Sequence, residues 1–125
     1  MINFKNKKIL VLGGSGLIGK SLITKLLKNN AEVINVDFAN IKIKTKKYKF
    51  YKLDITQNDF IDKLKYKNKK LDIDILINCS YPRTQNWEKN DFKNFNEIDS
   101  FDNIKLHLST YFILTKKIAD IMKKR

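Results

Sequence analysis

Hydrophobic positions along the chain alternate between two patterns. Residues 8–12 read as a short strand, wholly apolar from Ile9 to Leu12 after a basic lead-in, the mark of a strand buried on both faces. Leu17, Ile18, Leu22, Ile23, Leu26 and Leu27 then recur at helical spacing and make one apolar face. Asn29-Asn30 ends that helix, since Asn stands in for Gly in a left-handed cap. Residues 31–37 read as a second strand and 50–53 as a third, with a polar, Lys-rich crossover over 38–48 between them. A short helix is predicted over 58–66, with Phe60, Ile61 and Leu64 inward, and a fourth strand over 71–79. Residues 81–97 are polar and irregular and hold the single proline and the single tryptophan. Asp99 or Ser100 is the expected cap of a last helix running to about Lys123. Its expected inward residues are Ile104, Leu108, Phe112 and Ile118, with Leu114, Ile121 and Met122 as a second apolar stripe. Alternating strands and helices imply a parallel α/β sheet with right-handed crossovers, in one domain over residues 1–125.

Between the first strand and first helix the pattern breaks. All four glycines of the chain fall there, at Gly13, Gly14, Gly16 and Gly19. Gly13-x-x-Gly16-x-x-Gly19, leaving a strand and opening a helix, is the setting of a dinucleotide-phosphate loop. Gly13 permits the tight turn, Gly16 lets backbone approach a pyrophosphate, and Gly19 lets the helix pack closely on the sheet. Ser15 is placed to cap the helix. Free N–H groups around Gly16, Leu17 and Ile18 face the anion, with the positive end of the helix dipole behind them. The competing reading is a tight turn that binds nothing. Asp37 ends the second strand 18 positions after Gly19, where an acid accepts hydrogen bonds from an adenosine ribose. A 2′-phosphate would be repelled there, so NAD is favoured over NADP, although Lys42 and Lys44 follow closely.

Charge changes the picture less than its size suggests. The 26 basic against 13 acidic residues give +13, which fits a nucleic-acid or anionic partner. Nearly all of it is Lys; only Arg83 and Arg125 are Arg. The Asn, Ile and Lys bias follows AT-rich codons, and the lysine clusters at 42–52 and 63–70 lack the interleaved Arg and aromatic stacking platforms, taken together, of a nucleic-acid reader. No nucleic-acid partner is expected. No apolar run reaches membrane-spanning length, so no membrane partner is expected. No metal site is assigned. The single cysteine, Cys79, fits a reducing compartment, so a cytoplasmic location is expected.

The LGGSGLIG loop, Asp37, the turn Leu53-Asp54-Ile55-Thr56 and the segment Ile77-Asn78-Cys79-Ser80 together resemble the short-chain dehydrogenase/reductase superfamily. The loop departs from its pattern in having Leu12 where Thr is usual. The resemblance implies a Rossmann-type sheet of order 3-2-1-4 and NAD(P)-dependent hydride transfer between a nicotinamide cofactor and a carbonyl or hydroxyl substrate. It places Asp54 against the adenine amino group with the Ile55 backbone beside it, and Asn78, Cys79 and Ser80 along the nicotinamide side. His107 stands in the long helix where Asn is common, so it either relays protons or fills a packing position. Asn78-Cys79-Ser80-Tyr81-Pro82-Arg83 and Leu106-His107-Leu108 further resemble a bacterial branch associated with nonulosonic-acid sugars and flagellin glycosylation. Arg83 would meet an acidic sugar there, or is simply an exposed loop residue.

Members of the superfamily are typically twice this length. A fifth strand with a catalytic Ser and a helix with Tyr-x-x-x-Lys follow the long helix, so the chain is expected to be truncated before them. Tyr48/Lys52 and Tyr66/Lys70 share that spacing. The first pair enters a strand, where four residues span ~13 Å, and the second is expected in a solvated loop. The alternative to a truncated enzyme is a non-catalytic nucleotide-binding module or pseudoenzyme. The resemblance also implies self-association, through the last helix or the apolar edge of the fourth strand.

Overall fold

The central strand β1 (Lys8–Leu12) is hydrogen-bonded on both sides and is buried from Ile9 to Leu12 in a computed structural model that describes residues 3–124. It pairs in parallel with β2 (Glu32–Asp37), Ile9 opposite Val33, and with β4 (Ile75–Asn78), Ile9 opposite Ile75. The third strand, β3 (Tyr48–Lys52), pairs in parallel with β2, which completes the expected order β3-β2-β1-β4. Period-two alternation sends each strand's side chains to two separate cores. Ile9, Val11 and Val33 pack with Ile23 and Leu26 of α1 (Leu17–Lys28). Leu10, Leu12 and Val36 pack with Phe60, Ile61 and Leu64 of α2 (Phe60–Lys67) and with Leu114 and Ile118 of α3 (Glu97–Lys123). Helices therefore cover both faces, which is why β1 can be apolar from Ile9 to Leu12.

Local signals place several boundaries. Asn30 adopts φ +62° after α1 and lets the Ala31 N–H bond the Leu26 carbonyl at 3.1 Å. The fourth strand is shorter than the 71–79 expected. Asp74 diverts the ladder: its Oδ2 accepts the Lys8 N–H at 2.8 Å while its own N–H donates to the Lys8 carbonyl. The third strand starts two residues earlier than expected, at Tyr48, whose ring is buried beneath α1's side of the sheet. Tyr66 lies in the last turn of α2 rather than in a loop, and is exposed.

The last helix departs most from expectation. Its cap is Asn96, whose side chain accepts the Asp99 N–H at 3.0 Å, so neither Asp99 nor Ser100 caps it. Its inward face is Asn103, Thr110, Leu114 and Ile118, with Ile121 and Met122 packed alongside. Ile104, Leu108 and Phe112, expected inward, are 53%, 53% and 74% exposed. The first half of α3 crosses the polar 81–96 segment, where Asn103 Oδ1 accepts the Thr84 N–H at 3.0 Å. A polar surface beneath selects the polar stripe, and the apolar one turns outward. Among the described residues, no helix is long and apolar enough to cross a membrane.

Candidate functional site

A cavity of about 600 Å³ opens at the C-terminal ends of the strands, where ligands bind in open α/β sheets. Of the residues singled out from the sequence, Gly13, Ser15, Gly16, Asp37, Asp54, Ile55, Cys79, Ser80 and Arg83 line it. Leu17, Ile18, Gly19, Asn78 and His107 do not. Phe38 and Ala39, which follow Asp37, line it as well, as do Tyr81 and Leu106 from the two segments that carry the branch resemblance, none of them assigned a binding role from the sequence.

The four glycines have different reasons to be there. Gly13 sits at φ +73°, and a Cβ on it would lie 2.5 Å from Ser80 Cα. A Cβ on Gly14 would lie 2.3 Å from Asn35 Oδ1. A Cβ on Gly19 would lie 2.5 Å from the Gly13 carbonyl and from Gly14 Cα, so Gly19 makes room for the loop's own backbone rather than for the sheet. Gly16 differs. Its nearest neighbour for a Cβ is the Gly13 carbonyl at 3.5 Å, an ordinary contact, and its φ of −71° suits any residue. The chain's own packing does not require a glycine at 16. The Gly16 N–H makes a long 3.4 Å bond to the Gly13 carbonyl. The N–H groups of Leu17 and Ile18 belong to the first turn, which has no intrahelical acceptors.

Ser15 does not cap α1; Gly16 holds the cap position and no side chain bonds there. The Ser15 hydroxyl turns away, donating to the Ala39 carbonyl and accepting from Asn35 Nδ2 at 3.1 Å. Asn35 Nδ2 also donates to the Tyr48 hydroxyl, which donates to Asn40 Oδ1, each at 3.0 Å. Burial pushes the Tyr48 hydroxyl pKa up. This network ties the glycine loop to β2 and β3. Asn35 Oδ1 is buried with no hydrogen-bond partner among the described residues. At the loop's other side Asp37 Oδ2 accepts the Ser15 N–H at 2.8 Å and Oδ1 accepts the Phe38 N–H at 2.7 Å. Both oxygens are held at the cavity wall, and a carboxylate with two acceptor bonds keeps lone pairs for further donors.

Asp54, past the end of β3, organises the turn into α2. Its Oδ1 accepts from the Thr56 N–H at 2.9 Å and the Thr56 hydroxyl at 2.7 Å, and its Oδ2 from Gln57 Nε2 at 3.2 Å. Burial opposes the charged carboxylate, but these bonds and the nearby Lys63 outweigh it, so Asp54 titrates below its ordinary value. A lowered folded-state pKa contributes stability above the unfolded pKa of about 3.9, lost as pH falls through the folded value. Asp54→Asn is therefore expected to be about 1 kcal/mol less stable at neutral pH, a figure discounted for solvent screening. The difference should shrink as pH falls below about 4 in acid-denaturation curves. Curves that stay parallel into acid would rule this role out.

The wall beyond β4 is set by Asn78, whose Oδ1 accepts from the Ser80 N–H at 3.0 Å and the Ser80 hydroxyl at 2.5 Å. The Cys79 N–H extends the ladder to the Leu12 carbonyl at 2.8 Å, and burial pushes its thiol pKa up. Tyr111 of α3 donates to the Ser80 carbonyl at 2.6 Å, anchoring the helix to this turn. His107 packs between aromatic rings, 4.2 Å from Tyr81 and 5.7 Å from Tyr111 between centroids. Its Nε2 is buried without a partner among the described residues. Arg83 pairs with Glu88 at 3.2 Å.

Known proteins share this arrangement. The chain is 39% identical over 110 residues to the bifunctional polymyxin resistance protein ArnA of Wigglesworthia glossinidia brevipalpis, covering 83% of this chain and 16% of that one. It is 28% identical over 135 residues to the post-translational flagellin modification protein A of Campylobacter coli, covering 97% of this chain and 52% of that one. It therefore spans about half the length, or less, of these curated relatives. A short chain dehydrogenase from Leptospira borgpetersenii, solved with bound NAD+, superposes with a TM-score of 0.73 at 26% identity, covering 91% of this chain and 45% of that chain. Residues 9–103, from the first strand through the glycine loop to the start of the long helix, match a family outright. On that match, and on the fold it shares with short-chain dehydrogenases, the chain belongs to the NAD dependent epimerase/dehydratase family.

Proposed function

We propose that this chain binds NAD in the 600 Å³ cavity and is the cofactor-binding part of an oxidoreductase. The observation that carries the reading is Gly16. Three glycines are required by packing within the chain, and the fourth has room for a side chain at the mouth of a helix, where its absence suits the approach of a ligand. The residues present fit a dinucleotide. Gly13 to Gly16 and the first turn of α1 hold the pyrophosphate, Asp37 the ribose, Asp54 and Ile55 the adenine, and Cys79 and Ser80 the nicotinamide side. Asn78 acts through Ser80. Gly19 and Asn35 set the loop's shape. The fixed charge of Asp37 disfavours a 2′-phosphate, so NAD is the preferred cofactor.

When bound, the nicotinamide supplies or accepts the hydride exchanged with a carbonyl or hydroxyl group. This chain's own part is to bind and orient. Arg83 on the cavity wall is proposed to meet an acidic group of the substrate, and His107, which lies outside the cavity lining and whose buried Nε2 has no partner among the described residues, to relay a proton. The resemblance of residues 78–83 and 106–108 to the branch associated with nonulosonic-acid sugars makes a sugar the proposed substrate. A reducing cytoplasm suits the Cys79 thiol. Titration with NADH, followed by its fluorescence, should give saturable binding below about 1 mM. A flat titration would overturn the reading. Turnover of a sugar substrate separates an oxidoreductase from a module that only binds.

The outward stripe of α3 supports self-association. Phe101, Ile104, Leu108 and Phe112 follow at helical spacing and are all more than half exposed. We expect light scattering to show a dimer or larger species, and Phe112→Glu to shift it toward monomer. A monomer at high concentration would count against this surface.

A further inference from the structure

The two lysine clusters, which composition alone explains as codon drift, do not stay apart in the fold. Lys46, Lys47 and Lys49 lead into and along β3, Lys70 follows α2, and Lys8 begins β1. All five line one cleft of about 100 Å³ at the N-terminal ends of the strands, the end opposite the cofactor cavity. Glu32 and Asp72 are the acids in its wall, so the lining carries a net +3. Lys8 is held 3.5 Å from Asp72, and Lys47 bonds Asn30 Oδ1 at 3.2 Å. Lys46, Lys49 and Lys70 have no ion pair among the described residues.

Like charges gathered around a concave surface repel one another and focus a positive field into it. A multivalent anion relieves that repulsion by bridging several ammonium groups at once. The cleft's volume suits a small anion rather than a nucleoside. Its lining contains no aromatic side chain on which a base would stack, which separates it from a single-strand nucleic-acid track. We propose that this cleft binds a compact phosphate trianion of the pyrophosphate type. This site is separate from the NAD site and does not rest on it.

The test is calorimetric titration with sodium pyrophosphate at fixed ionic strength, alongside thermal melting. Because the glycine loop is also an anion cradle, the titration is repeated in Gly16→Ala. Expected are one saturable pyrophosphate per chain in both proteins and a melting temperature that rises with ligand. Affinity should fall at least tenfold in the triple variant Lys46→Gln, Lys49→Gln, Lys70→Gln, whose substitutions are at exposed side chains. Undiminished affinity in the triple variant would overturn the proposal. So would a response lost in Gly16→Ala, or one that sodium chloride reproduces. Binding of a single-stranded oligonucleotide through the same lysines, without competition from pyrophosphate, would assign the cleft to nucleic acid instead.

Discussion

Gly16→Ala is expected to fold as the parent does and to bind NADH at least tenfold more weakly, a loss of ~1.4 kcal/mol or more. The prediction separates a binding glycine from a packing one. The added methyl meets nothing closer than the Gly13 carbonyl at 3.5 Å, and the backbone at φ −71° and ψ 176° accepts alanine without strain. Alanine is a poorer cap than glycine, but it also restricts the unfolded chain, and the two effects, each below about 1 kcal/mol, oppose one another. Stability should stay within about 1 kcal/mol in urea denaturation. The methyl does, however, occupy the space through which a pyrophosphate approaches the backbone N–H groups of the loop. Undiminished NADH affinity in a folded Gly16→Ala would remove the observation on which the proposed function stands.

Gly13→Ala should have the opposite profile, with a loss of stability as its first effect. At φ +73° any side chain is strained, at ~1–2 kcal/mol. The new Cβ would also lie 2.5 Å from Ser80 Cα and 2.6 Å from its N, backbone atoms that cannot swing aside. Overpacking of that kind costs about 1–3 kcal/mol. Together the substitution should cost about 2–5 kcal/mol, a large part of the 5–15 kcal/mol that holds a typical domain together. Ser80 cannot move freely, because Tyr111 holds its carbonyl at 2.6 Å and Asn78 its N–H at 3.0 Å. A drop in melting temperature on the order of 10–20 °C, read by circular dichroism, is the expected result. A melting temperature within a few degrees of the parent would show that the loop and the Ser80 turn are not packed as described.

Much of the fold is legible because it rests on local signals. The apolar run 9–12 has no polar position to spare, so it must be covered on both faces, and a parallel sheet with helices on each side follows. The asparagine stop after the first helix appears as expected, with Asn30 at φ +62°. Sequence spacing fails where a residue's partner comes from far along the chain. Ser15 has the right chemistry for a helix cap, yet its hydroxyl is taken by Ala39 and Asn35, on the β2 side of the loop. Asn35 is invisible to motif reading because its partners, Gly14, Ser15 and Tyr48, are brought together only by the sheet.

The long helix shows the same limit for packing. Periodicity finds two apolar stripes but cannot say which one faces inward. That depends on what lies beneath, and over its first half α3 rests on a polar loop that Asn103 bonds. By itself, then, the sequence determined the strand and helix order, the sheet's parallel sense and the loop's place at the head of the first helix, since these follow from side-chain periodicity and backbone freedom. Tertiary structure alone decided which glycine is free of packing, where Ser15 and Asn35 turn, and which stripe of the last helix meets solvent. Each of those depends on atoms that approach only when distant strands pair.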